Sequence, residues 1–564
     1  MPRRRLSDAL APLLGAVLAV MGAAAIYWPM PLHLRTHEAL GAFQPGHTWA
    51  FAYMARIVSG DAPLTVTEIG FPASQQAQFI AWIPALLVAP LQGALGSIGA
   101  YNVASLLGPP LSAIGAWLFF RRVAEAPSWL AALAGLTYSL SPYMIGCLAS
   151  GQTCKAQVWV IPVALWAFHR AVDPELRLSR TLPVLAAVLF AGAFSEPSYV
   201  LYVVPALVLW WPLLVAEGPR RGARLLQGGI ALATAAAALL PARAYYAAAT
   251  GSGVGQVFLP ARRPPATDVG GSVATVGATF LGDLDLPVDT IASAHVTYLP
   301  AVLLVAAALL LPFSGRPGRS AVVLGGVGLV LAFGEVLIWD SAPWVVDGHV
   351  YTLPAAWLAR YGYPLASSGM YYRGIALGQL GLQLVVVGGL ARLGARATRG
   401  PAVALVASVA LAVHGGLLAQ GTAAVRTLFP RVVQRVPGLD LYTRMRADPV
   451  PGGVLDLPAG HEHYAGQSYA RAATLHGRST NGLGRAVRPR ESPALDRLLW
   501  SLDVALEGPS PAEALAAKGL RYVVWHERSN RLAGPDLVAI TAALGVPERI
   551  DGLLVWVLPP AVPR

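Results

Sequence analysis

The sequence predicts an α-helical polytopic membrane protein, with about eleven spans and a small C-terminal α/β soluble domain, on three observations. Hydrophobic residues make up 55% of the 564 and charged residues only 12%, against about 25% charged in soluble domains. Apolar runs of about 20 residues, enough to cross a bilayer, recur as far as residue 420. Arginines gather in the short intervals between those runs, as they do in cytoplasmic loops. The net charge of +12 is therefore assigned to loop anchoring and not to nucleic-acid binding.

Met1 to Trp28 has the form of a signal sequence, with Arg3, Arg4 and Arg5 before an apolar run. Many spans follow and no small-residue cleavage site does, so it reads as an uncleaved first span. Pro31 to Gln78 is the first long polar interval, carrying His33, Arg35, His37, Glu38, His47, Arg56, Asp61 and Glu68. An interval of that length reads as a functional loop, and Trp49, Phe51, Tyr53 and Phe71 argue against disorder. Spans are placed near 9–28, 101–120, 129–146, 157–172, 181–196, 199–216, 226–248, 296–313, 320–338, 374–391 and 401–420. Phe79 to Leu95 is apolar but short and broken by Pro84 and Pro90. If it does not cross, every short basic loop falls on the cytoplasmic side, including those of Arg121 and Arg122, Arg220 to Arg224, and Arg392 to Arg399. If it crosses, all the later loops violate the positive-inside rule. It is therefore read as a re-entrant or interfacial segment.

That parity puts the N-terminus in the cytoplasm and gives the transmembrane unit, 1–421, large external loops at 31–100, 249–295 and 339–372. It also places 422–564 outside, as a domain richer in Asp, Glu, Arg and His. Strands are expected there at Gly453 to Leu457, Leu520 to Trp525 and Leu553 to Leu558, and helices at Ser492 to Leu506, Pro511 to Lys518 and Pro535 to Leu544. Pro511 in a first turn and Gly519 past the end mark the second helix. Cys147 and Cys154 cannot make a metal site alone. A disulfide is open to them if their end faces an oxidising compartment, the alternative being two buried thiols.

Several stretches resemble a known family. The first loop closes on Gly70-Phe71-Pro72, and Ala100-Tyr101-Asn102 opens the next span. Tyr138 to Arg170 reads YSLSPYMIGCLASGQTCKAQVWVIPVALWAFHR. Val454-Leu455-Asp456-Leu457-Pro458, Leu475 to Ser479 and Gly519 to Val524 follow in the C-terminal domain. In this order the segments resemble the integral-membrane GT-C superfamily of glycosyltransferases, in an uncharacterised bacterial branch with a C-terminal external domain. The resemblance implies transfer of a sugar from a polyprenyl-phosphate carrier to an acceptor, whether glycan, lipid or protein, at the external face of the bacterial inner membrane. It also implies a catalytic carboxylate in the first external loop, because a base must deprotonate the acceptor hydroxyl as the lipid phosphate leaves.

The sequence departs from the family there. Gln44-Pro45-Gly46-His47-Thr48-Trp49 stands where the aspartate is expected, so the candidates for the base are Glu38, His37 and His47. Asp283 and Asp285 form a D-x-D pair in the second large loop, a spacing whose oxygens suit Mg²⁺ or Mn²⁺. External arginines run against the positive-inside rule, so something retains them. Arg35, Arg262, Arg263 and Arg373 are candidates for the donor phosphate, with Arg360 beside them, because a guanidinium offers forked donors. The alternative for each is snorkelling to headgroups. Glu196 and Glu335 are suspects as ionisable groups in apolar runs. His461, His463 and His476 carry no clustered third ligand, and their domain is assigned to acceptor binding or to covering the membrane cavity. Two rival functions stay open. One is a lipid or polysaccharide transporter or flippase, for which the spans are poor in charge and lack a repeat. The other is an inactive relative serving as a scaffold.

Overall fold

The computed structural model describes residues 2–39, 44–63, 81–251, 299–334, 349–361, 371–397, 400–428, 432–457, 463–480, 510–526 and 534–560, with short pieces at 65–66, 75–76, 79, 338–339, 342–343, 345–347, 504 and 506. The helices of the bundle are α1 (Pro2–Ile26), α2 (Gln44–Ser59), α3 (Trp82–Val88), α4 (Gln92–Val123), α5 (Ser128–Ser139), α6 (Pro142–Ala149), α7 (Val160–Ala171), α8 (Leu178–Ala193), α9 (Pro197–Glu217), α10 (Arg221–Gly251), α11 (Ala301–Ser314), α12 (Arg316–Ala332), α13 (Pro354–Arg360), α14 (Ile375–Arg396) and α15 (Gly400–Leu428). Every apolar run placed from the sequence overlaps one of them. Among the described residues five helical stretches are long and apolar enough to cross a bilayer, or six if α5 and α6, bent by 43°, form one span. The protein is a multi-pass α-helical membrane protein.

The bend between α5 and α6 follows from Ser141-Pro142. The proline cannot continue the α5 ladder but suits a first turn, and the Ser141 hydroxyl accepts from the Met144 N–H at 3.4 Å. Phe79 to Leu95 gives the short helix α3, a 3₁₀ turn at Ala89–Leu91 and the start of α4, whose helical path breaks at Gly96 (φ 70°). From Trp82 to that break the rise is about 21 Å, short of a hydrocarbon core of about 30 Å. Close helix contacts rest on glycine. A Cβ on Gly108 of α4 would stand 2.6 Å from the Ala156 carbonyl, and Gly325 and Gly328 of α12 lie directly against Gly378 and Gly381 of α14.

The C-terminal domain comprises β2 (Val433–Arg435), α16 (Leu439–Ala447), β3 (Gly453–Leu457), α17 (His463–His476), α18 (Pro511–Ala517), β4 (Leu520–Trp525), α19 (Gly534–Leu544), β5 (Glu548–Ile550) and β6 (Leu553–Val557). Its sheet runs β5-β6-β4-β3, with β3 and β4 parallel and the other neighbours antiparallel. Alternation decides the faces. Leu455, Leu457, Val523 and Trp525 pack with Leu515 of α18 and Ile540 of α19. Val454, Tyr522 and Val524 pack with Leu441 and Met445 of α16 and Ala472 of α17. Most of the helix expected at Ser492 to Leu506 lies outside the described residues.

The domain sits on the first loop. A strand from that loop, β1 (His37–Ala39), pairs antiparallel with β2, with Glu38 opposite Gln434, and the Val436 N–H donates to the Thr36 carbonyl at 2.9 Å. The Ser97 and Thr474 hydroxyls meet at 3.3 Å, and Ala473 of α17 joins the apolar cluster of Trp49, Tyr53 and Phe79. Loop and domain thus share one end of the bundle.

Candidate functional site

The segment that joins α6 to α7 is buried from Ser150 to Val158. Tyr27 donates its hydroxyl to the Leu148 carbonyl at 2.7 Å, and Tyr101 donates to Gly151 at 2.7 Å. Gly108 leaves room for Ala156. Lys155, only 1% exposed, is carried inward by this packing, and the Tyr199 hydroxyl donates to its carbonyl. Tyr199 also meets the Tyr143 hydroxyl at 2.9 Å. Cys147 and Cys154 are both buried and not joined in a disulfide, which answers the disulfide question in favour of thiols.

Next to this segment lie two residues that the sequence singles out separately. Arg373 Nη1 donates to Glu196 Oε1 at 2.8 Å and to Ser198 Oγ at 2.7 Å, and both partners of the ion pair are buried. Glu196 also caps α9, its Oε1 accepting from the Ser198 hydroxyl at 2.6 Å and the Ser198 N–H at 3.3 Å. Pro197 is the first helical residue and gives up no needed N–H. Arg373 stands on the 3₁₀ turn Tyr371–Gly374, which Tyr202 ties to α9 through a hydrogen bond to the Tyr371 carbonyl at 3.3 Å. Arg373 donates to Ser198, and the next residue, Tyr199, donates to the Lys155 carbonyl, so the two cations belong to one neighbourhood.

An apolar groove of about 760 Å³ opens between α9, α12 and α13, lined by Val204, Pro205, Val327, Leu331, Trp357 and Tyr361 among others. Val204 is about 9 Å along α9 from Ser198. Gly374, adjacent to Arg373, packs against Gly328 and Ala332 of the same α12 that lines the groove. The ion pair and the groove are therefore neighbours on shared helices.

Glu38 lies at the joint between the first loop and the C-terminal domain, and its neighbour Ala39 packs beside Gly151, in the same buried segment that carries Lys155. Glu38 is 1% exposed, and its Oε1 is ion-paired with Arg471 of α17 and accepts from Gln434 Nε2 at 3.3 Å. Its Oε2 has no hydrogen-bond partner among the described residues. Gln44, the first of the six residues that stand where the aspartate is expected, is a buried structural amide. Its Oε1 accepts from the Ala39 N–H at 2.8 Å and its Nε2 donates to Asn102 Oδ1 at 3.2 Å. Asn102 in turn donates to the Leu34 and His37 carbonyls, at 2.9 and 2.8 Å. A carboxylate at 44 would point one oxygen at another acceptor, so the amide suits this network.

The remaining candidates scatter. His37 is stacked on His33 at 4.7 Å, and burial, His33 and Arg435 together lower its pKa from the usual value. His47 is buried on α2 with Nε2 3.9 Å from Cys154 Sγ. Arg35 is exposed and donates to the Ala94 carbonyl, and Arg360 is exposed at the end of α13. Arg262, Arg263, Asp283, Asp285, Glu335 and His461 lie outside the described residues. Among those described, no group of three or more His, Cys, Asp or Glu is placed to hold a metal ion.

Sequence reasoning passed over Lys155 and Arg471. Lys155 carried a usable signal, being the one charged residue between Tyr138 and Phe168. Arg471 carried none, since arginines are common in its domain.

No protein-family model matches the sequence, and no curated protein matches it. Solved structures do. ArnT from Cupriavidus metallidurans, bound to undecaprenyl phosphate, aligns over 98% of this chain and 99% of its own, at 12% identity and a TM-score of 0.52. The arabinofuranosyltransferase AftD from Mycobacteria aligns over 97% of this chain at 14% identity and a TM-score of 0.54, and this chain spans 40% of AftD's length. The Archaeoglobus fulgidus oligosaccharyltransferase AglB aligns over 94% of this chain and 71% of its own, at 11% identity and a TM-score of 0.46. With ArnT and AftD as its likenesses over nearly its whole length, the chain has the fold of the GT-C glycosyltransferases.

Proposed function

We propose that this chain transfers a sugar from a polyprenyl-phosphate carrier to an acceptor at the non-cytoplasmic face of a bacterial plasma membrane, with a cytoplasmic N-terminus. One observation carries the reading beyond the fold: the Arg373–Glu196 pair next to Lys155, with an apolar groove leading away from it along α9 and α12. A polyprenyl phosphate is an anion on a long apolar chain, and this arrangement offers cations at one point and apolar walls about 9 Å further along α9. The guanidinium gives the phosphate directed donors, which are worth more out of bulk water. Arg262 and Arg263 stay in the proposal as further phosphate ligands.

Glu38 is the proposed base. An acceptor hydroxyl attacks the anomeric carbon, the bond from that carbon to the phosphate oxygen breaks, and polyprenyl phosphate leaves. The hydroxyl proton passes to Glu38 Oε2, the oxygen that Arg471 and Gln434 leave unused. On this reading the C-terminal domain, which supplies Arg471, holds the acceptor.

A second reading, the inactive relative, is favoured by one specific observation. Glu38 and Glu196, two of the three carboxylates buried among the described residues, are both held by arginines, and no carboxylate stands among residues 44–49. The test offers the purified full chain in liposomes a panel of polyprenyl-phosphate sugars and follows release of polyprenyl phosphate. Release from at least one donor, lowered about 100-fold or more in Glu38→Gln, supports transfer. Binding of polyprenyl phosphate without release from any donor supports the inactive relative. Neither binding nor release overturns both readings.

A further inference from the structure

A second cavity lies at the other end of α12. Its volume is about 670 Å³, and Leu213 of α9, Leu311 of α11, Val322, Arg316 and Arg319 of α12, and Arg392 of α14 line it. α12 runs from Arg316 to Ala332, and Ala332 packs against Gly374, next to Arg373. Its 17 residues rise about 25 Å, so this cavity and the Arg373 pair face opposite sides of the bilayer.

The charge in this cavity is unbalanced. Arg319 Nε lies 2.5 Å from Glu217 Oε1. Arg316 and Arg392 have no carboxylate partner among the described residues, so three cations face one anion. Arg392 is held in place by shape, its guanidinium lying over Gly315, the turn between α11 and α12. Gly315 has φ 58°, and any side chain there would collide with Arg392. The wall toward the lipid is apolar, with Leu311 45% and Val322 61% exposed. Cations at the rim with exposed apolar surface below them are the two halves of one amphiphile's complement.

We propose that this cavity binds an anionic phospholipid, with the headgroup phosphate on Arg316 and Arg392 and the acyl chains against Leu311 and Val322. The volume falls in the range of about 300–1,000 Å³ typical of small-molecule sites. Both arginines belong to intervals that the positive-inside rule puts in the cytoplasm, where the leaflet carries its anionic lipids. The site is separate from the transfer chemistry and does not depend on it.

The test measures thermal stability of the purified full chain in neutral detergent on addition of phosphatidylglycerol, phosphatidylcholine or inorganic phosphate. Phosphatidylglycerol alone should raise the unfolding midpoint. Arg316→Ala/Arg392→Ala should require at least tenfold more of it while melting like wild type in phosphatidylcholine. If the double variant does not fold, Arg316→Gln, at an exposed position, should still weaken the response several-fold. Equal effects of the two lipids, or variants that respond like wild type, would overturn the proposal. Stabilisation by inorganic phosphate alone would overturn the lipid in favour of a water-soluble anion.

Discussion

At the scale of single residues, burial decides what each charge does. Arg373 and Glu196 are both visible in the sequence as ionisable groups at membrane boundaries, but they are 177 positions apart and nothing in either stretch announces their pairing. Because the pair is buried, Arg373→Ala leaves a carboxylate stranded and should cost about 3–5 kcal/mol of stability, most of it recovered in Arg373→Met/Glu196→Gln. Unfolding midpoints of the single and double variants measure this, and additive losses would mean that the two residues do not interact. His476 makes a different prediction. Burial dominates its environment and lowers its pKa to about 4, while its Nδ1 accepts from the Arg478 N–H at 3.0 Å. The unfolded chain takes up this proton near pH 6.5 and the folded chain does not until about pH 4. Stability from this group is therefore complete above 6.5 and declines by about 3 kcal/mol as pH falls through that window. His476→Asn, which retains an acceptor for Arg478, should flatten the acid limb of midpoint against pH. An unchanged slope would assign acid sensitivity to another group.

At the scale of elements, the sequence is most legible where one pattern runs long enough. The helices appear where the apolar runs lie, and β3 and β4 match the expected strands residue for residue. Breaks inside runs are legible only when a residue forces them. Ser141-Pro142 separates α5 from α6 and is readable, whereas Gly96 breaks α4 through a backbone angle that a glycine alone does not advertise. The α12–α14 seam is legible only as composition, since close approach of Gly325 and Gly328 to Gly378 and Gly381 is a tertiary fact. Gly328→Val should push these helices apart and cost at least about 1–3 kcal/mol. Gly326→Ala, whose Cβ would meet nothing within 4 Å, should be nearly neutral. The two midpoints measured side by side check the seam, and equal losses would refute it.

At the scale of the molecule, the first loop and the C-terminal domain share β1 and β2, the Glu38–Arg471 pair and the Trp49 cluster, although 433 residues separate Glu38 from Arg471. Their membership of one face was legible from the arginines of the intervening loops; their contact was not, because pairing across such distances leaves no local trace. Reporter fusions after Arg122, Arg224 and Arg399 should all report cytoplasm, and an external signal from any of them would break the parity that keeps Phe79 to Leu95 from spanning. The account as a whole stands on where a lipid phosphate binds. The most direct measurement is a structure of the full chain with polyprenyl phosphate bound. The account predicts a phosphate oxygen within about 3 Å of the Arg373 guanidinium and the isoprenoid chain between Val204, Val327 and Trp357. A phosphate bound elsewhere, with Arg373 still on Glu196 and the groove without lipid, would contradict it.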